Sequence, residues 1–318
     1  MSIHKILHTL LTVAVGGLAS SCESNFTGAD IDEDQRIGIL YCVADAGDDI
    51  EVSAYGSASY SDTARYTVID YATVSIIING AIRSFATIPA GGTEVAFKGV
   101  EHAGGDEMTI MVQSPQLGNE LIGTTTIMER TPIERIDTAT IDNGSTLRVT
   151  TYIRDDKESE DYYRLEFGAR TWTDGRAEDV SLRCRYLSSA FTSVGMTMWA
   201  DESGAGLIDD TRLSTLSNGL SPLNISTQRG YLAPLIWSSD SVGIFVRLSH
   251  ISADYYSYLQ TVSLASASNI LPIFTFTSIH SNVAGGLGLV VSATTDEVVM
   301  MIDNEEEAVE DEDDAATE

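Results

Sequence analysis

Residues 145–154 read STLRVTTYIR, and their alternation decides the fold class. Leu147, Val149, Thr151 and Ile153 fall on one face; Arg148, Thr150, Tyr152 and Arg154 fall on the other. A period of two with one apolar face is a strand buried on one side, not a helix with its period near 3.6. Working outward, the same grammar recurs. Upstream lie RIGILYCVAD (36–45), EVSAYGSA (51–58), ATVSIIING (72–80), EVAFKG (94–99), EMTIMVQS (107–114) and LIGTTTIME (121–129). Downstream lie YYRLEFGART (162–171) and VGIFVRLSH (242–250). Gly-rich and Asn-Gly or Asp-Gly pairs at 79–80, 91–92, 104–105, 143–144 and 174–175 punctuate them as turns. Short strands with such spacing indicate an all-β chain of sandwich or barrel type. One segment, SADYYSYLQTVSLA (252–265), reads as a short helix with Ser252 as N-cap and Tyr255, Leu259 and Val262 on one stripe.

Pro132, in ERTPIERID (129–137), interrupts the strand rhythm. The expected architecture is therefore an N-terminal Ig-like β-sandwich over 35–130 and a larger β-sandwich or barrel-like domain over 131–303. Residues 23–34 form a tether, and 304–318 an acidic disordered tail.

The N-terminus reads as a targeting segment, 1–22. Lys5 supplies positive charge, Ile6 to Ala19 form an apolar run, and the small residues Ala19, Ser20 and Ser21 precede Cys22. The run is shorter than the roughly 20 residues a membrane span needs. A cysteine directly after small residues resembles a lipobox, in which the thiol takes a diacylglycerol and the chain is cut before it. Leu18 stands four before Cys22, where the usual large apolar residue stands three before. The expected product is a body anchored by its lipid, since two or three acyl chains hold where one does not. No later stretch is long and apolar enough to span.

Composition narrows the function classes. The formal charge is −29 over 318 residues, and residues 303–318 contribute ten acidic side chains and no basic one. Without them the charge is still −19. Only 18 Lys and Arg are spread along the chain, which disfavours nucleic acid and anionic lipid surfaces as partners. After Cys22 only Cys42 and Cys184 remain, and they read as buried free thiols, with a disulfide as the alternative.

Motifs for chemistry are sparse. GGLGLVV (285–291) runs into a strand and lacks the Lys-Ser/Thr of a phosphate loop, so it reads as a structural hairpin. His102, His250 and His280 lack metal-ligand spacing. There is no nucleophile-elbow pentapeptide. In IRDDKESEDYY (153–163), Asp155, Asp156, Glu158, Glu160 and Asp161 offer oxygen ligands of the type calcium takes, against the plainer reading of a solvated loop. Of Tyr162 and Tyr163, one is expected in the core and the other outside; Trp172, Trp199 and Trp237 are expected to pack. Asp62-Thr63-Ala64, Asp137-Thr138-Ala139 and Asp240-Ser241-Val242 resemble an O-glycosylation sequon of exported bacterial proteins.

Taken in order, several of these stretches resemble the family of unknown function DUF4249, common in Bacteroidota. They are Cys22-Glu23, ATVSIIING, GGDEMTIMV (104–112), TIMERTPIERID (126–137), DKESEDYYRLEF (156–167), LSHISADYYSYLQ (248–260) and SIHSNVAGGLGLVVSA (278–293). The resemblance covers the mature chain except its tail, and the last two motifs are the most specific. It implies an outer-membrane lipoprotein of two β domains, facing either the surface or the periplasm, often encoded beside TonB-dependent receptors. No activity comes with it. The expected function is a non-enzymatic accessory or ligand-capturing module of such a transporter, lipidated at Cys22, with no catalytic residue, no metal and no cofactor. The alternatives are a structural or adhesive surface lipoprotein without a transport partner, and a hydrolase with an unrecognised site.

Overall fold

The structure is a computed structural model that describes residues 37–58, 66–192, 205–268 and 278–302. The first strands are β1 (Gly38–Ala44), β2 (Ile50–Ser57), β3 (Tyr66–Thr67), β4 (Thr73–Ile78), β5 (Ala81–Thr87), β6 (Glu94–Phe97), β7 (Glu107–Gln113) and β8 (Leu121–Thr126). Then come β9 (Ile133–Ile141), β10 (Thr146–Ile153), β11 (Tyr162–Thr173), β12 (Arg176–Ser181), β13 (Arg185–Tyr186), β14 (Phe191–Thr192), β15 (Ala205–Asp209) and β16 (Ser221–Gln228). A helix α1 (Ala233–Ser238) precedes β17 (Ser241–Ile251), and α2 (Ala253–Ser268) precedes β18 (Val283–Ala284) and β19 (Leu287–Met301).

The chain is mainly β, as its alternation requires. In β10 Val149, Thr151 and Ile153 are buried while Arg148 is exposed. Asn79-Gly80 and Asp174-Gly175 take positive φ at both positions, the primed turn whose twist suits a tight hairpin, and they join β4 to β5 and β11 to β12.

The described strands form three sheets. A ten-stranded sheet has the order β14-β15-β11-β17-β19-β1-β2-β3, with β12 on β11 and β6 on β2. A five-stranded sheet, β18-β8-β7-β4-β5, faces the β1 end; a four-stranded sheet, β13-β16-β10-β9, faces the β11 end. The first core joins Leu40 and Cys42 of β1 to Ile76 of β4 and Ile110 of β7. The second joins Val149 and Ile225 of the four-stranded sheet to Leu165, Val246 and Leu248 of the large one. Each fully buried Leu or Ile contributes about 1.5–3 kcal/mol.

β19 connects the two sandwiches. Its first half, Leu287 to Ser292, pairs parallel with β1; its second half, from Ala293, pairs antiparallel with β17. The core of the first sandwich accordingly gathers residues up to Ile127 and then Val283 and Val290 from far along the chain. Local alternation says nothing of this return, because a parallel partner lies about 250 residues away in sequence.

Among the described residues two α-helices are present where one is expected. α2 starts directly after Ser252, whose carbonyl accepts the Tyr256 N–H. Its packing centres on Tyr256, which is buried with Leu207 and Ile251, while Tyr255 and Leu259 pack at the margin. The extra helix, α1, is six residues long, with a proline in its first turn. That is too short for a periodic signal. Cys42 and Cys184 are both buried, one in each core, and are not joined by a disulfide.

Candidate functional site

The second sandwich is open along one edge. The four-stranded sheet ends at β9, while the large sheet continues through β19 into β1. The gap between β9 and β19 is closed at one end by the turn at Arg229 and Gly230 and by α1. This leaves a pocket of about 520 Å³. Ile244 and Leu232 form a buried floor, and Leu147, Ile236, Met300 and Ile302 form half-buried walls. Thr138, Thr140 and Arg229 stand exposed at the rim. An apolar floor with a few polar groups at the mouth is the usual chemistry of a small-ligand site, and the volume lies in the range such sites occupy.

The acidic loop between β10 and β11 is ordered by its own hydrogen bonds. Asp155 and Asp161 come together with Asp210, a residue the loop's sequence gives no reason to include; their oxygens lie within 4.8 Å of one another. Among the described residues these three carboxylates are the group able to hold one hard cation. Two of the other expected ligands are engaged elsewhere. Asp156 accepts the Glu158 N–H at 3.0 Å, and Glu160 accepts the Tyr162 hydroxyl at 2.7 Å. Around the triad, the Tyr163 hydroxyl donates to Asp155 at 2.8 Å, Ser159 donates to Asp161 at 2.6 Å, and the Asp161 N–H donates to Asp210 at 2.9 Å. Burial, opposed by Tyr163 and reinforced by Asp210 and Asp161, raises the Asp155 pKa above its ordinary value. Burial also raises that of Asp210. The Tyr163 hydroxyl, buried and facing Asp155, is pushed far up.

The described histidines are bound into the frame. His102 touches the carbonyls of Val100 and Asp45, both at 2.7 Å. His250 lies 2.9 Å from the Glu129 carbonyl and 3.2 Å from Asp161. His280 lies 2.7 Å from Asp254. Tyr163 is the core member of its pair, and Tyr162 is not free: its ring stacks on Tyr256 at 4.4 Å. Trp172 is half-buried, but Trp237 on α1 is 84% exposed, against the packing expected of it. Trp199, Cys22 and Asp62-Thr63-Ala64 lie outside the described residues. Thr138 is exposed at the pocket rim and Ser241 is half-buried. The 285–291 glycines form no hairpin ladder, since β18 pairs with β8 in one sheet and β19 with β1 in another.

On the outer face of the large sheet, arginines and carboxylates alternate. Arg170 holds Asp179 at 2.6 Å and Glu297 at 2.8 Å; Arg247 reaches Asp179 at 3.1 Å. The Arg170 hydrogen bond, partly opposed by burial and aided by Arg247, holds the Asp179 carboxyl below its ordinary range. No described helix is long and apolar enough to cross a membrane.

The family model described as "Domain of unknown function (DUF4249)" matches residues 28–298. No curated protein matches the chain. Among solved structures, a Bacteroides uniformis β-glucuronidase 3 is similar over 67% of this chain and 23% of its own, at 14% identity and TM-score 0.21. A two-domain fibronectin type III segment of chicken tenascin is similar over 69% of this chain and 91% of its own, at 12% identity and TM-score 0.21. The chain thus spans under a quarter of the glucuronidase, and neither likeness carries a functional argument.

Proposed function

The chain belongs to the DUF4249 family, and on that premise we propose that it is a lipid-anchored module that captures a small ligand without transforming it. In this reading Cys22 carries the acyl anchor at the outer membrane, and a TonB-dependent transporter is the partner that receives the ligand. The observation that carries it is the pocket at the open edge of the second sandwich, with Ile244, Leu232 and Met300 beneath a rim of Thr138, Thr140 and Arg229. Such a lining suits a ligand with an apolar body and a polar or anionic end. A non-catalytic role agrees with the described histidines, His102, His250 and His280, each of which is spent on carbonyl or carboxylate partners within the frame.

The test has two parts. Anilinonaphthalene sulfonate, an apolar body with an anionic end, is expected to bind saturably at one site and to lose that site in Thr140→Trp, which fills the mouth. Capture from native membranes in mild detergent is expected to bring down a stoichiometric TonB-type receptor, lost with Cys22→Ala. Capture of the protein alone overturns the stable-complex reading and shifts the weight to a structural or adhesive surface lipoprotein.

A further inference from the structure

We propose that the acidic segment 303–318 docks in cis on an arginine face of the four-stranded sheet. Arg148 of β10 pairs with Ser226 of β16, and Ser226 pairs with Arg185 of β13. Directly paired residues of antiparallel strands share a face. Val149, Thr151 and Ile153 point into the core, so Arg148 and Arg185 point away from it, both exposed, about 10 Å apart across two strand spacings. Arg135 of β9 joins the face, its guanidinium 4.2 Å over the Tyr152 ring.

This face is unusual for so acidic a chain. β10, β13 and β16 contain no Asp or Glu. The two acids of β9 are already committed, Asp137 to Arg135 at 3.1 Å and Glu134 to Arg154 at 3.4 Å. Elsewhere Arg130, Arg164, Arg170 and Arg247 each hold a carboxylate. Among the described residues Arg148 and Arg185 hold none. Two uncompensated cations on a chain of charge −29 create a local positive potential that an acidic ligand fits.

The path of the chain selects which acidic ligand. The Ile302 N–H donates to the Val242 carbonyl, and Ile302 lines the pocket beside Arg229 and the β9 residues Thr138 and Thr140. Ile302, the last described residue, therefore lies at the edge strand of the arginine-bearing sheet, and the acidic segment begins at the next position. From β9 to β13 is about 15 Å, three strand spacings. Sixteen residues of extended chain reach roughly 50 Å. The segment carries ten carboxylates and no basic group. Held so close, it competes at high effective concentration with any acidic partner in solution.

The experiment uses the full mature chain with Cys22→Ser and a fluorophore on Ala316→Cys; Cys42 and Cys184 are buried and stay unlabelled. Anisotropy of the label is expected to be high at about 20 mM salt and to fall toward 500 mM as the charges are screened. Arg148→Glu with Arg185→Glu is expected to give the low value already at low salt. The same pair is expected to speed glutamyl-endopeptidase cleavage of the tail about fivefold, the worth of two exposed ion pairs. Equal anisotropy in the two proteins at low salt, or a value indifferent to salt, overturns the proposal. A tail that is free in both, with anionic vesicles binding the chain only when Arg148 and Arg185 are present, gives the face to lipid instead.

Discussion

Asp210 carries an oxygen, Oδ1, that is buried and has no hydrogen-bond partner among the described residues. Its neighbours are the carboxylates of Asp155 and Asp161. Burial first, then the charges of Asp161 and Asp209, raise its pKa, against the opposing pull of the Asp161 N–H. The sign follows from linkage. A carboxyl whose folded pKa is raised binds its proton more readily in the folded state, so it costs stability at neutral pH. That cost disappears as pH falls through the raised value toward the unfolded one near 3.9. Asp210→Asn removes the charge, keeps an acceptor for the Asp161 N–H, and places a donor where the orphaned acceptor stood. Thermal unfolding at pH 7 is expected to rise by about 2 °C, a modest gain because a partly exposed cluster is screened. The gain is expected to shrink to nothing near pH 4. A lower melting temperature at pH 7 would instead mean that the triad needs its full charge.

At the scale of single elements, Gly288 in β19 adopts φ +129, and a Cβ there would sit 1.9 Å from the Leu40 carbonyl oxygen. The parallel pairing of β19 with β1 thus depends on a residue with no side chain. Gly288→Ala is expected to cost about 3 kcal/mol, through backbone strain and displacement of β1. Urea unfolding checks this, with Gly230→Ala, which has open space around it, as the neutral comparison. The same element marks how far the sequence is legible. The alternation of STLRVTTYIR and the Asn-Gly and Asp-Gly turns specify strands and faces locally, and β10 obeys them residue by residue. The glycines of 285–291 read as a hairpin, yet they pass between two sheets, and their closest requirement is set by β1, whose sequence lies at the other end of the chain. The carboxylate triad divides in the same way. Asp155 and Asp161 are readable as one loop, while Asp210 arrives with β15, paired to β11 by long-range register. α1 and the pocket it closes have no periodic signal at all, so the site proposed for ligand is the part least visible beforehand.

Across the whole molecule, β19 and the 129–133 connection tie the sandwiches into one unit. Asp296, nearly buried on β19, pairs with Arg130 and accepts the Ile133 N–H at 2.7 Å. His250 on β17 meets the Glu129 carbonyl at 2.9 Å, and Thr294 donates to the Met128 carbonyl at 2.7 Å. The connection is therefore fastened to β17, which supplies buried residues to the second core, and to β19, which borders that core through Met300 and also carries the parallel pairing of the first. A flexible linker between independent domains would make none of these bonds. Calorimetry of the intact chain is expected to show one cooperative transition, with calorimetric and van't Hoff enthalpies equal. Asp296→Ala strips the connection of its buried acceptor and leaves Arg130 without its partner, a loss of about 2–3 kcal/mol. Because β19 itself stays continuous, that variant is expected to melt lower but still in a single step. Gly288→Ala acts on the parallel pairing instead, and there the transition is expected to broaden or split as the first sandwich loosens from the second. Two transitions in the unmodified chain would show that the shared strand joins the sandwiches without coupling them.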